Sequence, residues 1–366
     1  MASYAEIAET IQARIGHGDY RLRRFPSGKR LAAELGVNPR TVERAMSHLL
    51  DSGILRRSKT GKYEISATQT AAGLHVALLV PAFPSFHTML LHQVLDRLAT
   101  ARGWKLRLAS YIHFRDPVVA ATLRGFDATF FFPGATDDAA DRGAGAELLP
   151  AWLVKQIEEA GRPIVMHGMD SSTLGIPCIY NASASGVRKL LDVLLPAGHR
   201  KVACVNAQPR GAIIRDRIDQ WRLWTQLHGI AGKLFDAPTA PFGSAMHQAR
   251  RSLGAAIGRG ELEATTAIFC TTGATALGVM RALADHGLEP GRDIAVCATD
   301  DHAGEAPFLR PSLTCLQDPD IAPYLEVCLD WMARPGSEWI GPRCIHPAEM
   351  PLFVGESTAL YRNKGT

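Results

Sequence analysis

From His75 onward the chain is built from short, largely apolar runs, and this constrains its fold more than any other feature. VALLVP, KLRLAS, ATFFFP, PIVMHG, KVACVN, AIFCTT and IAVCAT follow one another along the sequence. Most are separated by helix-like stretches such as HTMLLHQVLDRLATARG, ASGVRKLLDVLLPAG and TALGVMRALADHG. A strand that is apolar on both sides must be covered on both faces. Its alternation with helices therefore predicts a doubly wound parallel sheet in an α/β domain. Such sheets bind ligands at the carboxyl ends of their strands. That directs attention to loops 82–87, 134–138, 168–172, 206–217, 271–275 and 299–302.

The first 66 residues differ in pattern and charge. Tyr4, Ile7, Ala8, Ile11 and Ile15 recur at helical spacing and stop at Gly16 and Gly18. After an extended stretch over 21–26, Ser27 is placed to cap a short helix, GKRLAAEL, which ends at Gly36. Asn38 caps a second helix, PRTVERAMSHLL, with Pro39 at its first position. Two helices joined by Gly36-Val37-Asn38 form a helix-turn-helix. Val42, Ala45, Met46 and Leu49 make the buried stripe of the second helix, leaving Arg40, Thr41 and Arg44 on its other or N-terminal faces. GILRRSKTGKYEIS then alternates as two strands around a basic tip carrying Lys59 and Lys62. Residues 1–66 hold 12 Lys/Arg against 7 Asp/Glu, whereas the remainder holds 28 against 29. The basic excess thus sits wholly in the N-terminal segment, which suits an anionic partner such as DNA.

FPSGKRLAAELGVNPRTVERAMSHLLDSGILRRSKTGKYEIS resembles the winged helix-turn-helix of GntR-family regulators, over essentially all of residues 3–66. The resemblance implies contact with double-stranded operator DNA through Ser27, Lys29, Arg30, Asn38, Arg40, Thr41, Arg44, Lys59 and Lys62. Arginines at the start of the second helix can bind guanine bidentately, and Thr41 can reach a base or a phosphate. The chain departs from the family at Gly28 and Lys29, where an acidic residue and an arginine are usual. Lys29 can hold a phosphate as a point charge but lacks the planar fork. A three-helix module that binds protein, with its arginines merely solvated, is the alternative reading.

Residues 67–74, ATQTAAGL, are small and featureless and read as a linker to an effector-binding and dimerisation domain over 75–366. Residues 74–358 resemble the effector domain of LacI/GalR repressors, which shares its two-lobed fold with periplasmic sugar-binding proteins. The similarity is carried by ASASGVRKLLDVLLPAGHRKVACV, TTAIFCTTGATALGVMRALADHGLEPGRDIAVCATDD, LRPSLTCL and VGEST. It implies a homodimer and a small, sugar-like effector held between the lobes, with Arg217 and Asp300 as residues that hydrogen-bond the ligand and a structural ion pair as the alternative for both. Phe83, Phe86, His87, Trp221 and Phe242 are aromatic candidates for stacking on such a ligand, with core packing the alternative for each. Thr272 and Gly273 stand where sugar-binding members usually carry an Asn-Asp pair, and Tyr180-Asn181 replaces a more acidic pair. The expected effector is accordingly smaller, less hydroxylated or anionic, or else another loop supplies the carboxylate.

The expected whole is an N-terminal winged helix-turn-helix followed by a two-lobed, periplasmic-binding-protein-like domain. Its expected function is transcriptional regulation, with repression the commoner outcome in the families it resembles. A solute-binding or sensor protein that does not read DNA is the alternative. Asp300, Asp301 and His302 form an acid-base cluster, yet no nucleophile elbow, P-loop or zinc motif accompanies them, so no catalysis and no cofactor are expected. The seven cysteines form no CxxC pair and lie mostly in apolar runs, which reads as reduced core residues, not as metal ligands. No apolar run reaches the roughly 18 residues needed to span a bilayer, and the amphipathic first residues differ from a secretion signal. A cytoplasmic protein without a membrane partner is expected.

Overall fold

A computed structural model describes residues 3–21, 25–66, 73–82, 85–134, 149–180, 184–240, 243–301, 304–334, 338–347 and 350–358. The N-terminal segment folds as the capping signals require. Helix α1 (Tyr4–Gly16) opens with a capping box between Ser3 and Glu6. Helix α2 (Gly28–Leu35) is capped by the Ser27 hydroxyl, and α3 (Pro39–Asp51) by the Asn38 side chain. The α2–α3 turn depends on Gly36, whose φ of 66° is left-handed and favours glycine. Strands β1 (Leu55–Arg57) and β2 (Tyr63–Ile65) form an antiparallel hairpin. Ile7, Ile11, Leu31, Val42, Met46, Leu49 and Leu55 close a separate small core beneath it.

Beyond Gly73 lie two six-stranded sheets. The first comprises β3 (His75–Pro81), β4 (Lys105–Tyr111), β5 (Ala128–Phe131), β6 (Ile164–His167), β7 (Cys178–Ile179) and a late strand, β13 (Cys344–Ile345). Their order is β13-β7-β6-β5-β3-β4, all parallel. The second comprises β8 (Val202–Asn206), β9 (Leu234–Asp236), β10 (Ala267–Cys270), β11 (Ala295–Ala298), β12 (Thr314–Leu316) and β14 (Leu352–Phe353). Its order is β14-β12-β11-β10-β8-β9, with β14 antiparallel at one edge. Period-two alternation between two covered faces explains why the runs of the central strands are continuously apolar, whereas the edge strand β4 is largely exposed. Val76, Leu78 and Val80 enter one core and Leu79 the opposite one, while Ile268 and Cys270 face away from Ala267 and Phe269. Each fully buried Leu, Ile or Phe contributes roughly 1.5–3 kcal/mol.

Helices α4 (Phe86–Ala101), α5 (Pro117–Gly125), α6 (Ala151–Ala160) and α11 (Ala322–Met332) cover the first sheet. Helices α7 (Ala184–Asp192), α8 (Ala212–Leu227), α9 (Ala245–Gly258) and α10 (Gly273–Asp285) cover the second. The chain therefore passes between lobes after β7, again between β12 and α11, and finally between β13 and β14. At Gly168, with φ 82°, the two lobes approach closely, since a Cβ there would lie 3.1 Å from Ile213 at the start of α8.

The Leu74 carbonyl, just before β3, accepts from Lys105 N–H, and residues 67–72 of the expected linker lie outside the described residues. One sequence expectation needs correction. Cys344 is only half-buried, whereas the other six cysteines are buried.

The N-terminal segment docks on the first lobe through Arg21. Its guanidinium donates to Gly125 O and to His75 Nδ1, both at 3.0 Å, and lies 3.3 Å from Asp127. Since arginine can only donate, His75 carries its proton on Nε2, which faces Gly16 O at 3.0 Å. Burial and then the Arg21 charge lower the His75 pKa, with Lys105 acting in the same direction and the Gly16 hydrogen bond and Asp127 opposing. A depressed histidine pKa stabilises the folded state fully above the ordinary value of about 6.5, and that stability is lost as pH falls below it. The thermal unfolding midpoint should thus fall between about pH 7.5 and about pH 5.5, and fall less in Arg21→Ala, as read by circular dichroism.

Candidate functional site

The carboxyl ends of the central strands and four helix N-termini converge on a cleft of about 630 Å³ between the lobes. Ser85 caps α4, Ser244 caps α9 and Thr272 caps α10, while α8 begins at Gly211 without a side-chain cap; all four residues line the cleft. These ends present backbone N–H donors and the positive poles of the helices.

The floor is organised by Asp300, which is 1% exposed at the end of β11. Its Oδ2 accepts from Arg217 Nη1 at 2.7 Å, and its Oδ1 accepts from Gly273 N–H at 2.6 Å. Arg217 Nη1 also donates to Thr271 O at 2.7 Å. Arg217 and Asp300 thus pair with each other. Among the described residues, the remaining nitrogens of the Arg217 guanidinium donate to no protein group.

The geometry also accounts for the Thr272-Gly273 departure. A Cβ on Gly273 would stand 2.7 Å from Asp300 O and 3.2 Å from Asp300 Oδ1, so a side chain here is incompatible with this position of Asp300. Thr272 lines the cleft, but its hydroxyl caps α10, accepting from Thr275 N–H at 3.1 Å.

Further polar residues line the same space. Gln208 is buried on the cleft wall, its Nε2 turned 3.4 Å from Thr272 Oγ1 and its Oε1 without a partner among the described residues. Asp301 accepts from Glu305 and Ala306 N–H through Oδ1, leaving Oδ2 buried and unpartnered. The loop 206–217 was singled out from sequence, but nothing in it distinguished Gln208. Asp301 was visible only as the neighbour of Asp300. Among the described lining residues, one guanidinium faces three carboxylates, those of Asp300, Asp301 and Glu305.

The first lobe supplies a less polar wall, with Phe86, Met89, Leu108 and Phe132 beside His87 and His92. His87 Nε2 lies 3.4 Å from Nδ1 of His167, whose ring stacks on Phe132. Burial, and then the neighbouring His87, hold the His167 pKa well below the ordinary histidine value, so His167 is neutral.

The structure therefore brings Phe86, His87, Arg217, Thr272 and Asp300 to one cleft. Phe83, Phe242 and His302 lie outside the described residues. Trp221 is a correction. It is 5% exposed in the core of the second lobe, its indole N–H donating to Val202 O at 3.2 Å. Only the first turns of α8 reach the cleft, and Trp221 sits one turn beyond Arg217.

In the N-terminal segment, Ser27, Lys29, Arg30, Asn38, Arg40, Arg44, Lys59 and Lys62 are exposed and Thr41 is half-exposed. Ser27 and Asn38 are occupied as helix caps. Arg30 pairs with Glu34 at 3.2 Å, and the Arg44 guanidinium lies 4.7 Å over the Tyr4 ring.

Residues 191–320 match the periplasmic binding protein-like domain family. Among solved structures, a LacI family transcriptional regulator from Arthrobacter sp. FB24 in complex with lactose superposes with a TM-score of 0.61 at 19% identity, covering 78% of this chain and 100% of that one. A LacI family regulator from Enterococcus faecalis V583 with bound ribose gives 0.63 at 14% identity, with 79% and 100% covered. A PurR family regulator from Vibrio parahaemolyticus gives 0.60 at 15% identity, with 78% and 99% covered. The two-lobed fold is shared with these proteins. The sequence has no significant match among curated proteins. No helix among the described residues is long and apolar enough to cross a membrane.

Breaking a buried pair by removing one partner typically costs about 3–5 kcal/mol. Asp300→Ala should accordingly lower the free energy of unfolding by about that amount in urea titrations. A loss below about 1 kcal/mol would mean that the pair behaves as a solvated surface bridge.

Proposed function

We propose that this protein is a DNA-binding transcriptional regulator whose operator affinity is set by a small molecule in the interlobe cleft. The observation that carries the DNA half is α3. Its buried stripe of Val42, Ala45, Met46 and Leu49 leaves Arg40 and Arg44 exposed and Thr41 half-exposed, behind a hairpin tip bearing exposed Lys59 and Lys62. A helix of this shape can enter a major groove while the hairpin and the α2 N-terminus meet phosphates, as in winged helix-turn-helix heads of the GntR type. Two heads would be needed to read a two-fold operator, so we place this chain in a homodimer held largely by its effector domains. The cis-acting outcome we favour is repression.

The cleft supports a neutral, hydroxyl-bearing effector with an apolar face, such as a sugar derivative or a nucleoside. The carboxylates of Asp300, Asp301 and Glu305 outnumber the one guanidinium among the described lining residues, which disfavours an anion and suits a ligand that donates through hydroxyls. Arg217 and the helix N-termini offer donors in return, and Phe86, Met89 and Phe132 offer apolar contact. This reading disfavours the anionic effector that the missing Asn-Asp pair allowed. It also needs no chemistry at Asp300, whose carboxylate is engaged by Arg217 and Gly273.

Two outcomes are expected. The intact protein should bind duplex DNA from its own upstream region with an affinity that falls linearly in log-log form with salt, and Arg40→Ala should lose sequence preference at a cost of about 1–3 kcal/mol. Absence of specific binding in electrophoretic or anisotropy titrations would refute the DNA half. In a thermal-shift screen, neutral sugars and nucleosides should stabilise the protein, by about 2.7 kcal/mol at a hundredfold excess over Kd, and sugar acids should not. Arg217→Ala should abolish a hit's shift.

A further inference from the structure

We propose a soft-metal site, of the zinc class, formed by Cys178, Cys344 and Asp170 on the first lobe, outside the interlobe cleft. The donor atoms of these three residues all lie within 4.8 Å of one another, the one such group among the described residues. Cys178 and Cys344 are direct partners in the parallel pairing of β7 with β13, so both thiols lie side by side at adjoining strand starts. Asp170 reaches them from the turn that follows β6, with Cys178 Sγ 3.8 Å from its Oδ1.

Several features go beyond three donors meeting by chance. The Asp170 carboxylate is fixed by the Ser172 N–H at 2.9 Å and the Ser172 hydroxyl at 2.6 Å. These two bonds are the main reason its pKa is lowered, so it is ionised and oriented at neutral pH. The Ser171 N–H points at Cys178 Sγ from 3.4 Å, a contact that favours negative charge on sulfur. Outer hydrogen bonds of this kind orient and tune the donors of a metal centre. The site is also open. Cys178 is buried, but Cys344 and Asp170 are partly exposed, so an ion can enter without disturbing the core. Two thiolates and a carboxylate leave one position of a tetrahedron for water or a further ligand, the composition expected for Zn²⁺ and not for Mg²⁺ or Ca²⁺.

The chemistry balances without a redox partner. Each thiol releases its proton to solvent as its sulfur bonds the divalent cation, whose charge is met by the two thiolates. Because binding displaces the thiol protons, it weakens as pH falls. The location gives the site its interest. β7 and β13 each lead directly into a passage between the lobes, and Tyr180, just past β7, packs its ring against His346, just past β13. The Tyr180 hydroxyl then donates to Asp216 on α8 of the second lobe. An ion at this position would tie two of the connecting strands together at their base.

The test uses the full chain, reduced and stripped of metal, titrated with Co²⁺. Binding should produce the visible and near-ultraviolet thiolate-to-cobalt bands of a tetrahedral site at one equivalent, and Zn²⁺ should abolish them. Cys344→Ser changes a half-buried residue and should remove the charge-transfer band while the protein keeps its circular dichroism. Asp170→Asn should weaken binding at least tenfold. No band at saturating Co²⁺, with all thiols shown to be reduced, would overturn the proposal. So would bands that persist unchanged in Cys344→Ser, or a Cys178–Cys344 disulfide as the only linkage the pair can form.

Discussion

The cleft depends on a carboxylate held out of water. Asp300 stands where β11 ends, and its two oxygens take a guanidinium from α8 and a backbone N–H from the first turn of α10. A buried charge is tolerable only when paired and hydrogen-bonded, so this arrangement fixes the relative positions of three elements at once. Gly273 follows from it, because the N–H that serves Asp300 belongs to a residue with no space for a Cβ. The orientation of Arg217 follows as well, with one nitrogen committed to Asp300 and Thr271 O and the rest of the fork turned to the cleft.

From that floor, function becomes a matter of how two lobes and a head are connected. The lobes are linked by three passages of the chain, each leaving the end of a short strand. The head is anchored to the first lobe by Arg21, which holds the edge of β3 through His75 and the start of β5 through Asp127. A ligand that draws the lobes together therefore acts on a body to which the head is directly fixed. Under the proposed function, it would shift DNA affinity only by as much as it prefers one lobe arrangement over another.

Much of this was legible in the sequence where local chemistry and tertiary context agree. Ser27, Asn38, Pro39 and Gly36 announce helix ends because capping is a local, side-chain-to-backbone matter. The continuous apolar runs announce buried parallel strands because no exposed face could tolerate them. Arg217 and Asp300 could be placed in the cleft as ligand contacts, with an ion pair only the alternative, since the 83 positions that separate them are brought together only by the fold. Trp221 misled because an aromatic on a ligand-bearing helix looks like a stacking group. Its position one turn beyond Arg217 places it against Val202 instead. The Cys178–Cys344–Asp170 cluster was invisible for the same reason, as it arises from the pairing of a strand at one end of the domain with another at the other.

The most direct measurement is the affinity of the full-length protein for its operator with and without a saturating cleft ligand, in one buffer at one salt concentration. The account predicts a change of at least fivefold, corresponding to about 1 kcal/mol of coupling, and an equal change in ligand affinity when operator is bound. Identical operator affinities with the ligand demonstrably bound would contradict it.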